Sequence, residues 1–589
     1  MKQTFYRKAV QTLMIGVFAF GVGQTACAAT ILYVPQDNRP VSYSYTVNTA
    51  QAAGYTVLTP PEIYLSDQGY QGSPDKIWEW VKQNVNQADA LVLSTDTLIY
   101  GGLVDSRKHD INILTLKNRL SELAALHNAH PTVPIYAFGT IMRSPRASDG
   151  KVEPSYYADY GPKIFEIAYW QDKADTEGLT AEESAKLLSL RMSVPLEYMQ
   201  DWFARRMKNN QVNEMLIQDA ASGVLTYFCL GHDDTAGFSQ SSLEARYLEK
   251  MTENLSPRVY GSFPGADQLG LLLIARYHVD RSQVAPKIRV IYPLGGGADT
   301  MPHYENQSIG KTIADHVTAV GAEIVTMEKP DLLLAVNTPL SDVTGESEAF
   351  ANLAIPRKSA AAFLTRVEDA LSRHIPVSVA DIFYSNGSDN TLLKEMQNAN
   401  LLYKISAYNG WNTASNTVGY AVAQGILAAQ MPEKAQHRML TEQYLDNWGY
   451  QANIRKEIYR EQENLRTDNV KYSGKLNPRL SEMLVEKIQA FAEEHLDINP
   501  RTVTARFPWG RLFETQITVA PTPQYPLMRD ILAERVRQEA ARKAAEKAAA
   551  ESAAQSQNTK NSDKPTPAAP SASGDKAASP IQKQLKNAS

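Results

Sequence analysis

Short runs of β-branched and aromatic residues recur along this chain, and most are separated by stretches with the length and periodicity of helices. That alternation leaves few folds open, because strand, crossover helix and parallel strand form the repeating unit of α/β proteins. The strand candidates are 31–34, 55–58, 90–93, 135–139, 224–230, 259–262, 288–292 and 332–336, with helical stretches such as 114–126 and 306–320 between them. Eight such units predict a (β/α)8-barrel-like domain over 29–340, carrying a helical insertion at about 144–223 that is rich in Tyr and Trp. Two further runs, 375–380 and 402–406, form an additional α/β unit over 341–430; the alternative is two doubly wound α/β domains. A helical C-terminal segment is expected over 431–529.

The ends of the chain have a different character. Lys2, Arg7 and Lys8, the apolar stretch 13–23 and the small-residue site Ala26-Cys27-Ala28 read as a signal peptide over 1–28. Its apolar stretch is too short to span a bilayer, so no integral membrane segment is expected after cleavage. Lipoprotein anchoring at Cys27 is less favoured, since Gln24 stands where an aliphatic residue belongs. The expectation is a periplasmic or secreted protein in which Cys229 alone remains and no disulfide forms. Over 530–589 an Ala/Lys/Glu-rich helix without an apolar face gives way to a Ser/Pro/Asn/Lys tail that reads as disordered, a candidate tether to the cell envelope. With 59 basic and 64 acidic residues the formal charge is 59 − 64 = −5, which offers no basic field for nucleic acid.

In open sheets and barrels alike, ligands bind beyond the carboxyl ends of parallel strands. Those positions here hold Asp37-Asn38-Arg39-Pro40, Ser94-Thr95-Asp96 before Tyr100, Met142-Arg143, His232-Asp233-Asp234, Ala266-Asp267, Asn337, Asp381 and Asn409-Gly410-Trp411-Asn412. Nearly every strand delivers a carboxylate, an amide or an arginine to what should be one rim. Such a rim suits a polar, hydroxyl-rich ligand.

The adjacent acids Asp233 and Asp234 are the sharpest feature. Glycosidases work with two carboxylates, one as acid and one as base or nucleophile. Asp96 and Asp267 are further candidates for a catalytic carboxylate. Each has a plainer reading: Asp234 or Asp267 capping the next helix, or Asp96 in an ion pair with Arg107 or Arg143. Asp37, Arg39, Tyr100 and Arg143 are candidate substrate-binding residues, with arginine suited to planar anionic groups. Trp411 has the surroundings of a sugar-stacking platform, with Asn409, Asn412 and Asn416 for hydroxyls. The triple glycine 295–297 lacks the spacing of a phosphate loop, and no GxSxG elbow is present. His232 beside two acids leaves a metal-dependent hydrolase as an alternative, but no paired histidine spacing accompanies it. No cofactor and no metal are called for.

DNRP, LSTDTLIYGGLVDSR, LGHDDT, FPGADQLGLLLIAR and YNGWNTASNTVG, in that order, resemble the bacterial family known as domain of unknown function four-one-two-seven. The resemblance runs from Ile31 to Glu514 and implies an architecture but no activity. Members tend to carry an Asp pair where this chain has Gln36-Asp37, and an acid where Gln268 follows Asp267.

Taken together, the residues predict an exported glycosidase-like hydrolase acting on a polar saccharide, amino sugars included. Asp233 and Asp234 would be the catalytic pair, Asp96 and Asp267 would support them, and Trp411 would stack on the sugar. A non-catalytic periplasmic saccharide-binding protein is the first alternative.

Overall fold

The strands 90–93 and 31–34 read as unbroken apolar runs because both faces of their sheet are covered, and every one of their side chains is buried. In the computed structural model, which describes residues 28–467 and 476–520 with positions 543, 544 and 547, these runs belong to one of two open parallel sheets. The expected signal peptide up to Cys27 and almost all of the tail from 530 lie outside the described residues. The fold below belongs to the unit that ends at Thr522.

The first sheet contains β1 (Thr30–Val34), β2 (Thr56–Leu58), β3 (Ala90–Ser94), β4 (Ile135–Ile141), β5 (Tyr227–His232) and β6 (Tyr260–Pro264). Their order is β2-β1-β3-β4-β5-β6, parallel throughout. The second sheet contains β7 (Lys287–Ile291), β8 (Glu323–Ile324), β9 (Leu332–Asn337), β11 (Val377–Asp381) and β13 (Ala407–Asn409), in the order β13-β11-β9-β7-β8. The short β10 (Gly345–Glu346) and β12 (Tyr384–Ser385) pair on their own. Near the end of the described chain, β14 (Val503–Arg506) pairs antiparallel with β15 (Gln516–Val519).

The expected barrel is therefore replaced by a mixed α/β architecture in which neither sheet closes. Runs 288–292 and 332–336, counted as its seventh and eighth strands, pair instead with each other in the second sheet, where the latter also pairs with the strand near 375–380. The physical reason lies in two helices. Leu269–Ser282 is buried at nine consecutive positions from Leu269 to Tyr277, and all fifteen residues of Ala414–Ala428 are buried. A barrel's outer helix shows one face to water, whereas a helix apolar all round must be enclosed. These two lie between the sheets, in one core with Tyr33, Val92, Phe138 and Cys229 of the first and Leu334, Val336 and Ala380 of the second. The outward faces carry Pro74–Asn84 and Ile113–Ala129 on the first sheet and Lys358–Ser372 on the second, while Pro478–Leu496 packs on Tyr444–Ile454 and β14.

The insertion folds as three helices, Tyr157–Thr176, Ala181–Met192 and Leu196–Ala221, around Ile164, Ile167 and Trp202. Residues 402–406 form a turn, and the strand begins only at Ala407. The helical stretch expected from 431 ends at Leu496 and is followed by the β14–β15 pair. Among the described residues, no helix is long and apolar enough to cross a membrane. Cys229 is a free thiol, wholly buried in β5, where burial pushes its pKa up.

Candidate active site

Parallel pairing brings the carboxyl ends of β1, β4, β5 and β6 to one edge of the first sheet. There Arg39, Arg143, His232-Asp233-Asp234 and Gly265-Ala266-Asp267 enclose a cavity of about 400 Å³. Further segments complete the wall: Leu103 to Arg107, Asp149 to Val152, Tyr304-Glu305, Asn412 to Asn416 at the start of the Ala414–Ala428 helix, and Trp509, Arg511 and Phe513 from between β14 and β15, with Gln68 and Tyr459.

Charge on this wall is organised as alternating arginines and carboxylates. Arg107 holds Asp233 at 2.5 Å and faces Glu153 at 3.5 Å. Arg143 takes the same Glu153 oxygen at 2.6 Å and Asp234 at 2.8 Å. Glu153 is wholly buried and thus bridges two guanidinium groups, an arrangement that the planar fork of arginine suits. Asp234 departs from ordinary backbone geometry, with φ of 33°. Burial, reinforced by Asp233, raises its pKa, and Arg143 opposes the rise.

On the opposite side Arg39 bonds Asp37 at 2.8 Å and Asp267 at 2.6 Å. The other Asp267 oxygen accepts from Trp411 Nε1 at 3.3 Å and Asn412 Nδ2 at 3.5 Å. Arg39 and Arg511 both stack on Trp509, at 5.4 and 4.8 Å from the ring centre, and Arg511 pairs with Glu514.

Glu305 is buried, and no cation among the described residues pairs with it. One of its oxygens accepts from the Ser415 N–H at 2.6 Å and from the Ser415 hydroxyl, at the start of the Ala414–Ala428 helix. The other, Oε2, is buried without a hydrogen-bond partner among the described residues. Burial raises this carboxyl to about 7, and Asp234 adds to the rise. His232 shares the wall: burial lowers it to about 3, Nε2 meets Ser262 Oγ at 2.8 Å, and Nδ1 is unpartnered among the described residues.

Of the residues singled out from the sequence, Asp233, Asp234, Asp267, Arg39, Arg143, Asn412 and Asn416 line the cavity. Asp37, Asp96, Tyr100, Asn409 and Trp411 are buried behind it. Asp96 lies in the first turn of the Thr95–Ile99 helix and turns back to Thr140 Oγ1 at 2.8 Å and Gln36 Nε2 at 3.3 Å, so it pairs with neither Arg107 nor Arg143. Its carboxyl is raised to about 7 by burial. Tyr100 stacks on His109, and Asn409 spans the Trp411 N–H and Gln443. The Trp411 indole, 4% exposed and edge-on to Phe513, braces Asp267 instead of presenting a platform to a sugar. Asn416 Oδ1 receives the N–H groups of Ala266 and Asp267, which fixes the turn after β6.

The capping alternatives also give way. Ser239 caps Gln240–Thr252, and Leu269–Ser282 has no side-chain cap, so Asp234 and Asp267 keep their carboxylates for arginine. Nor do all strand ends share one rim. Asn337 and Asp381, at the edge of the second sheet, bond one another at 2.8 Å, and Tyr408 closes on Asp381 at 2.9 Å. Those groups are spent internally.

Sequence reasoning passed over Glu305, Glu153, Trp509, Arg511 and Phe513; Glu153 lies twelve residues past the end of β4, and the others follow no strand of the first sheet. The available signals were modest: an aromatic-Gly-Arg turn in FPWGRLF, and an acid just before the helix Ile309–Ala319. Among the described residues, no group of three or more His, Cys, Asp or Glu side chains is placed to hold a metal ion. Asp233 and Asp234, which a metal at His232 would need, are each held by an arginine.

These features define an α/β protein with two open parallel sheets and an acid- and arginine-lined cavity at the carboxyl edge of one of them. The chain belongs to the family described as protein of unknown function (DUF4127), which matches residues 31–518. Comparison with curated proteins gives no match.

Proposed function

We propose that this protein is a glycosidase-like hydrolase of a polar saccharide, working by carboxylate acid/base catalysis in the cavity beside β5. The observation that carries the reading is Glu305, a cavity-lining residue whose carboxyl is raised to about 7 and whose Oε2 is buried without a hydrogen-bond partner among the described residues. An acid of that strength is protonated in a large fraction of molecules at neutral pH and can protonate a leaving glycosidic oxygen. Asp233, fixed in an ion pair with Arg107, is the companion carboxylate that acts on the sugar or on water. Asp234 orients the substrate. Tyr304, Tyr459, Trp509 and Phe513 supply the aromatic surface that sugar rings favour. The assignment thus moves the acid from the Asp233-Asp234 pair to Glu305 and retires Asp96 and Trp411 to support. Export to the periplasm or beyond belongs to the same proposal and rests on residues 1–28.

The test is turnover of aryl glycosides and cell-wall oligosaccharides by wild type and Glu305→Gln. Loss on the order of 10²–10⁴-fold is expected, smaller for aryl glycosides whose leaving group needs little protonation. Equal turnover in both proteins would overturn the assignment. Saccharide binding without turnover in the wild type would favour the non-catalytic binding protein instead.

A further inference from the structure

The fold treats the two oxygens of Glu305 unequally. Oε1 accepts from the Ser415 N–H at 2.6 Å and from the Ser415 hydroxyl, whereas Oε2 is buried without a hydrogen-bond partner among the described residues. In a protonated carboxyl the carbonyl oxygen is the better acceptor, so two donors on Oε1 mark it as the carbonyl and leave the proton for Oε2. The backbone enforces this pose from the other side. Tyr304, the preceding residue, sits at φ of 67°, a region non-glycine residues seldom adopt, and its carbonyl is tied to the Thr235 N–H.

Part of the contact is ordinary helix capping. Thr413 makes no side-chain capping bond at the start of Ala414–Ala428, and Glu305 takes up a first-turn N–H in its place. The hydroxyl is a second donor that capping does not require. Ser415 is wholly buried, so this hydroxyl serves the carboxyl and not solvent. Burial raises Glu305, while the Ser415 hydroxyl, the Ser415 N–H and Thr413 draw it back by bonding its charged form. Of the charged neighbours, Asp234 adds to the rise, with Arg143 engaged by Asp234 and Glu153. Across the cavity, Asp267 is held by Arg39.

Resting on the glycosidase reading, we propose that Ser415 is a positioning residue for Glu305: its paired donors hold Oε1 as the carbonyl oxygen, reserve Oε2 for the acid proton and set how tightly that proton is held.

The experiment is infrared difference spectroscopy of the full chain through the neutral pH range, on wild type, Glu305→Gln, Ser415→Ala and Ser415→Thr. The carbonyl band absent from Glu305→Gln belongs to protonated Glu305. In Ser415→Ala that band should move to higher frequency, because the carbonyl oxygen loses a donor. Its titration midpoint should rise by on the order of one pH unit, since the lost bond favoured the charged form. The high-pH limb of kcat/KM on an aryl glycoside should rise with it while KM holds. Ser415→Thr keeps the hydroxyl and should return band and midpoint toward wild type.

A capping role alone would move neither band nor midpoint. An unmoved band, an unchanged or lowered midpoint, no band lost in Glu305→Gln, or a folded Ser415→Thr that behaves as Ser415→Ala would each overturn the proposal. Wild type without turnover would end the glycosidase reading and leave the infrared result to decide Ser415. Turnover lost in Glu305→Gln with an unmoved band in Ser415→Ala would do the reverse.

Discussion

The Thr235 N–H donates to the Tyr304 carbonyl oxygen at 2.8 Å, which laces the loop carrying Asp233 and Asp234 to the loop carrying Glu305. Groups 71 residues apart in the chain, Asp234 and Glu305, are thereby held on one wall, close enough for the charge of the first to raise the second. A main-chain bond of this kind constrains the two carboxyls without using either of them.

From that arrangement comes a pH dependence. Because Glu305 works protonated and titrates near 7, kcat/KM should fall as pH rises through about 7. A pH–rate profile on an aryl glycoside reads this directly. The limb should move to lower pH in Asp234→Asn, which removes a charge that helps raise Glu305.

Arg143→Ala should be severely destabilising. It removes a cation from both Glu153 and Asp234, and breaking a buried pair in this way costs about 3–5 kcal/mol. Denaturant unfolding measures it. Arg143→Lys should recover little, since one ammonium cannot span two carboxylates as a guanidinium does.

Stability should decline on going from pH 6 to pH 8. Asp96, Asp381 and Asp446 are each raised to about 7 by burial, well above their value in the unfolded chain. Groups raised in this sense stabilise the fold when protonated, and their contribution is lost as pH climbs through the folded-state pKa. His109, His232 and His316, lowered to about 4, 3 and 4, act in the opposite sense up to about pH 6.5, so they oppose the decline only at the lower end of this window. Thermal melts of wild type and Asp96→Asn test the account: the variant should show the shallower decline.

Trp509→Ala should weaken both fold and binding. Trp509 is buried, donates to Asn38 at 2.6 Å and carries two stacked guanidiniums, and truncating such a residue costs about 3–5 kcal/mol. KM should rise with it, because the wall between β14 and β15 loses its anchor. Trp509→Phe should keep most of the stability.

The α/β class and nine of the ten expected strands were legible because apolar runs and helical stretches alternate so regularly. Which strands pair was not. The deciding residues were those of LGLLLIARY and ASNTVGYAVAQGILA, whose apolar content all round the helix already excluded a barrel's outer layer. The first-sheet half of the site was legible by the strand-end rule, which found Arg39, Arg143, Asp233, Asp234 and Asp267. Glu305 and Trp509 escaped it because they reach the cavity from a helix approach and from a distant β pair. Asp96 misled it because a helix starts at once after β3 and turns the carboxyl inward.

The helix pair Leu269–Ser282 and Ala414–Ala428 has one more implication. Parting the sheets would strip that pair of its cover and expose apolar side chains along both helices, so the crevice has no inter-sheet hinge to swing on. Any tightening around a bound molecule must come from short-range movement, of Tyr304 and its loop or of the segment bearing Trp509 and Phe513. The scaffold behaves as an anvil, and the motion belongs to its edges.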